Sequence, residues 1–166
     1  MTRFTAKLQK IDFDLKGYRG AMDAKLTEVT KQAARSWLRT ALDIIPTWSK
    51  ASRATFEKLA SEVGYTVTYG PLIAKKDRTA LGLRTSQGGL DIDPDSHYHF
   101  FYETELRYLE YNEFNSAVPG PPPQPYGELR NPTPYRFLEA GRRDFESFAK
   151  SVKLPDPTLF ISGRPI

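Results

Sequence analysis

The chain has no cysteine. Disulfides, thiolate nucleophiles and cysteine–zinc sites are therefore excluded, and stability must come from packing or association. Histidine occurs twice and methionine twice. Neither sign of charge dominates: 24 Lys and Arg against 20 Asp and Glu leave a net +4, a weaker bias than a dedicated nucleic-acid binder usually carries. No apolar run approaches the length that crosses a bilayer. Met1–Leu8 lacks the continuous apolar core of a secretory signal. No Gly-x-Gly-x-x-Gly follows a strand pattern, there is no Gly-Lys-Ser/Thr phosphate loop, and no serine stands in a nucleophile elbow.

What is present is material for one core. The 166 residues suit a single domain, and 39% hydrophobic and 13% aromatic content suffice to fill it. From Tyr18 to about Ile45, apolar residues recur in steps of three and four: Tyr18, Met22, Leu26, Val29, Ala33, Trp37, Ala41 and Ile44, widened by Leu38 and Leu42. This is a long amphipathic helix. Pro46 stops it, and Trp48 offers an apolar anchor. A second helix is expected from about Ser49 to Val63, with Ser49 as N-cap, Phe56, Leu59, Ala60 and Val63 as its stripe, and Gly64 as its stop.

Beyond Gly64 the period becomes two. Tyr65–Tyr69 is β-branched and aromatic and predicts a strand, with Ala80–Arg84 a second, Gly88-Gly89 a turn and Leu90–Ile92 a hairpin arm ended by Pro94-Asp95. His97–Glu105 is the strongest strand pattern, and Tyr108–Phe114 pairs with it or continues the sheet. Residues 117–134 hold more than half of the 13 prolines, including Pro121, Pro122 and Pro123. Proline fixes φ and donates no N–H, so this stretch reads as a polyproline-like loop. A last helix follows, with Thr133 as N-cap, Pro134 at N1, and Leu138, Gly141, Phe145, Phe148, Ala149 and Val152 as its stripe. Glu139 with Arg143 and Glu146 with Lys150 form acid-before-base pairs on its wet side.

The order of elements predicts an α+β fold: a long N-terminal helix, a short second helix, an antiparallel sheet, and a C-terminal helix packed on that sheet. Residues 1–17 are an arm, in which Asp12 and Asp14 alternate with Phe13 and Leu15 as in a strand. Residues 18–152 are the domain and 153–166 a tail, whose Leu159, Phe160 and Ile161 call for a partner surface.

Three chemical readings remain open. His97 and His99 share a strand face with Glu103, one geometric start for a metal-dependent hydrolase, although two partly exposed polar residues on a sheet face are the preferred account of them. Lys75, Lys76, Arg78, Arg142 and Arg143, with the tyrosines, would make a small basic nucleic-acid-binding module. The third reading is a contact-making protein, supported by aromatic and proline content, an apolar tail, an arm, and no catalytic constellation.

Three segments carry a resemblance: Ile45-Pro46-Thr47-Trp48-Ser49-Lys50-Ala51-Ser52-Arg53-Ala54; Tyr98–Tyr102 with Tyr108–Glu113; and Thr133–Gly141. Together they resemble the head–tail joining, or tail-completion, proteins of the tailed-phage neck, over about residues 18–152. Many members carry a glycine where this chain has Lys50. The resemblance implies a non-enzymatic virion component without cofactor or metal, a hexameric ring between portal and tail tube. Its partners would be copies of itself, the neighbouring connector and tail proteins, and genomic DNA passing through the lumen without sequence readout. The interface would include Trp48, Arg53, Pro121, Pro122, Pro123, Leu159, Phe160 and Ile161.

Overall fold

A computed structural model describes residues 9–45, 47, 49–106, 109 and 136–165. It has mixed α and β structure, as the order of elements implies. Strand β1 (Gln9–Phe13) leads into helix α1 (Leu15–Ile44). Short helices α2 (Ala51–Ala54), α3 (Glu57–Glu62) and α4 (Thr79–Arg84) follow. Strands β2 (Ser86–Asp93) and β3 (His97–Thr104) form a hairpin. Helix α5 (Phe137–Ser151), a 3-10 turn (Pro157–Phe160) and strand β4 (Ile161–Pro165) complete the chain.

Helix α1 is the spine. Asp14 caps its start, its carboxylate accepting from the Gly17 amide at 2.9 Å. Ala33, Ala34, Trp37, Leu38, Ala41 and Leu42 are buried along its second half. Trp37 centres an aromatic cluster. Its ring lies 5.8 Å from Phe56, 5.8 Å from Phe100 and 5.7 Å from Tyr102, and Phe56 stacks on Tyr102 at 4.4 Å with Phe137 edge-on. Such offset and edge contacts add about 0.5–1.5 kcal/mol per pair beyond the area they bury. The one buried hydroxyl pair among them is satisfied, Thr55 Oγ1 lying 2.8 Å from Tyr102 Oη.

The hairpin lies across α1. Tyr98, Phe100 and Tyr102 alternate inward, while Phe101 and His99 face out. Its tip is pinned to the first half of α1: Tyr98 donates to Asp23 at 2.9 Å, and Arg19 pairs with Asp95 at 2.8 Å. Helix α5 packs along α1 and meets the hairpin through Phe145 on Phe100. Gly141 permits this closeness, since any β-carbon there would sit inside the Trp37 indole. Asp144 joins the same seam, accepting from Thr40 at 3.2 Å and from Ser36.

Several sequence expectations are corrected. The second helix is broken into α2 and α3, with Thr55-Phe56 a turn between them that drops Phe56 into the core. Ser49 is buried, and the position before α2 is Lys50, left-handed at φ 64°. Gly64, also left-handed, ends α3 where expected. Tyr65–Tyr69 keeps its alternation, with Val67 buried and Thr66 and Thr68 exposed, but it is outside any strand and has no strand partner among the described residues. Period two reports alternating burial, not pairing. Ala80–Arg84 lies in α4: Asp77 accepts from the Thr79 amide at 2.8 Å and starts a helical turn. Gly88-Gly89 lies within β2, and the turn is at 94–96, closed by Ser96 N to Asp93 O at 2.9 Å.

Among the described residues, the expected single sheet is instead two two-stranded ribbons, β1–β4 and β2–β3. The C-terminal helix lies chiefly on α1, and its left-handed Arg136 precedes it. Glu146 pairs back with Arg142 at 3.6 Å. Most of Tyr108–Phe114, the proline-rich stretch, and the expected cap Thr133-Pro134 lie outside the described residues. Leu109, which is described, is buried.

Candidate interface

The arm and the tail find each other. β1 and β4 pair antiparallel, from Gln9 opposite Pro165 to Phe13 opposite Ile161, and Asp14 N donates to Phe160 O at 2.9 Å. Phe160 is half-buried, edge-on to Tyr18 at 5.4 Å, and Tyr18 also meets Phe13 at 5.6 Å. Asp156 caps the 3-10 turn, accepting from Thr158 N at 2.9 Å. Its hydrogen bonds from the Thr158 hydroxyl and amide hold its carboxyl below the usual aspartate value.

This ribbon buries little of its own apolar surface. Ile11 on β1 is 69% exposed and Ile161 on β4 48%, and at its flanks Leu15 at the start of α1 is 59% and Leu159 in the 3-10 turn 80% exposed. A two-stranded ribbon with so little of its apolar surface covered is marginal in water. Farther along α1 lies an apolar groove of about 390 Å³ between α1, β3 and α5, walled by Leu26, Val29, Phe100, Phe145, Phe148 and Val152.

Of the interface residues expected from sequence, Leu159 and Ile161 are exposed on this ribbon and Phe160 is its inward anchor. Trp48, Pro121, Pro122 and Pro123 lie outside the described residues. Arg53 serves its own subunit: Nη2 donates to Leu42 O at 2.6 Å and Ile45 O at 3.5 Å, and Nη1 to Thr68 O at 2.6 Å. It thus caps the last carbonyls of α1 and ties the extended 65–69 segment to them. Burial pulls its pKa below the ordinary arginine value, opposed by Asp43 and Tyr65. Tyr69, packed beside the same segment, donates to Glu57 at 2.5 Å. Its pKa is raised, first by burial and then by that carboxylate.

The basic residues are divided. Lys75, Lys76 and Arg78 are exposed on the loop before α4. Arg142 and Arg143 pair with Glu146 and Glu139 on their own helix, which reduces what they offer to phosphates. His97 and His99 do come together, with ring centroids 4.9 Å apart. Glu103 stands opposite Gln87, farther along the hairpin, and the carboxylate beside the histidines is Asp91. Sequence reading missed Asp91, although the hairpin arm and the Pro94-Asp95 break together give the register that places it there. It also missed that Ile11 and Phe13 share a ribbon with Ile161, because no local pattern links residues so far apart in the chain.

Among the described residues, no helix is long and apolar enough to cross a membrane. Comparison of the chain with family models, curated proteins and solved structures gives no match.

Proposed function

We propose that this chain is a structural subunit of a tailed-phage neck, a tail-completion protein that assembles into a ring through which DNA passes. The observation that carries the reading is the apolar exposure at the ribbon and its flanks: Ile11 and Ile161 on the strands, Leu15 at the start of α1 and Leu159 in the 3-10 turn. A ribbon on one part of a molecule and an apolar groove on another are the two halves of a heterologous contact, which closes into a ring when the rotation allows. In this reading the ribbon of one subunit enters the groove of the next, between α1 and α5. The left-handed Lys50 also supports the resemblance, since members of the family carry glycine there, the residue suited to that conformation.

The experiment is sedimentation velocity on the purified protein at tens of micromolar. A ring is expected, and both Leu159→Asp and the groove-blocking Ala149→Arg should reduce it to monomer. Both positions are exposed, so monomer stability should change by no more than about 0.5 kcal/mol. A wild-type protein that remains monomeric, or variants that assemble as well as wild type, would overturn the reading.

A further inference from the structure

The outer face of the β2–β3 hairpin carries a cluster separate from the exposed ribbon, with His99 also bordering the groove. Asp91 stands directly across from His99, and His97 lies two residues along the same strand and the same face. One donor atom from each of the three lies within 4.8 Å of the others. We propose that Asp91, His97 and His99 bind a late first-row divalent cation, with Zn²⁺ the fitting choice.

Four features support this assignment. First, the donor set is two imidazole nitrogens and one carboxylate oxygen, which suits zinc and its neighbours, whereas magnesium and calcium want oxygen alone. Second, the spacing is near what coordination needs: bonds of 2.0–2.1 Å in a tetrahedron hold donor atoms about 3.3 Å apart, and His97 Nε2 lies 3.0 Å from Asp91 Oδ1. Exposed His99 closes the remaining distance by side-chain rotation. Third, His97 Nε2 is shielded from solvent, and despite that short distance it makes no aligned hydrogen bond. Its other nitrogen, Nδ1, lies 3.0 Å from Ser96 Oγ. A hydrogen bond there fixes the ring and leaves Nε2 facing the cluster, the usual arrangement behind a metal-bound histidine. Fourth, the tip is already held from its opposite face by Tyr98 on Asp23 and Asp95 on Arg19, so the ligands are carried on a fixed frame.

The cation would bridge the two strands beside the turn of the hairpin. Three protein ligands leave a fourth position for water. His99 borders the groove but Asp91 and His97 do not, so Asp91→Asn tests the metal site apart from the ring.

The test uses untagged full-length protein, stripped with EDTA and dialysed against zinc chloride. Elemental analysis should find one equivalent of zinc per chain, and cobalt in its place should give the intense visible bands of low coordination number. His99→Ala and Asp91→Asn should each lose the equivalent while keeping the wild-type far-ultraviolet spectrum. Glu103→Gln should retain it, and magnesium should not compete. Substoichiometric zinc in wild type, or equal uptake by the His99 and Asp91 variants, would overturn the assignment.

Discussion

The two halves of helix α1 continue one apolar stripe but meet different fates. From Thr30 to Leu42 the stripe is buried under α2, α3, the hairpin and α5. From Leu15 to Val29 no residue is fully buried, although Tyr18, Met22, Leu26 and Val29 obey the same period. The first half is accompanied by the ribbon and the groove, both of which expose apolar surface. Periodicity therefore states that a face is meant to be covered and leaves open which chain covers it. The buried half holds the core, and the open half is where, in the proposed ring, a neighbouring copy would find its contact.

Emptying the buried half should have the largest effect. Phe56 has no exposed surface and touches Trp37, Tyr102 and Phe137. Phe56→Ala should destabilise the subunit by about 3–5 kcal/mol in urea unfolding. A loss near zero would mean that the aromatic cluster is not the core. Crowding the seam between the halves should come next. In Gly141→Ala the new methyl meets the Trp37 indole, and overpacking of this kind takes about 1–3 kcal/mol. If the open half is an assembly surface, this variant should also weaken the ring, because α5 moves and α5 walls the groove. Ring formation unchanged alongside a stability loss would separate seam from groove.

The smallest effect belongs to the open end and is set by pH. The folded pKa of Asp156 lies below the ordinary 3.8. The stability it gives the 3-10 turn is therefore present above the unfolded value and disappears as pH falls through the lower folded value. The Thr158 amide resonance should titrate with a midpoint below 3.8, and Asp156→Asn should abolish that titration. A midpoint at or above 3.8 would show that the turn and its cap are absent in solution.

Much of this architecture was legible in the residues. The α1 stripe, the stop at Gly64 and the strand from His97 follow from local period and from glycine's conformational freedom. The errors share a cause. Tyr65–Tyr69 alternates like a strand but has no strand partner among the described residues; its inward side chains pack on the core and Arg53 takes the Thr68 carbonyl. The Ala80–Arg84 stretch turned helical because Asp77 supplies an amide acceptor and Gly82 lets the helix press against Ala51. The candidate sites divide in the same way. Leu159 and Ile161 could be picked out as apolar residues on a tail, and His97 with His99 as a same-face pair. Arg53, by contrast, looked outward in sequence and is bound to carbonyls of its own subunit.

The sequence alone determined that this chain has no disulfide or thiolate chemistry, that its long helix is amphipathic throughout, and that apolar residues near both termini need cover. Those properties depend on residue identity and on spacing within a few turns. Tertiary structure decided that the arm pairs with the tail, that α5 lies along α1, and that Asp91 joins the two histidines. Each of these is a contact between distant segments, and its geometry comes from how whole elements pack rather than from any neighbouring residue.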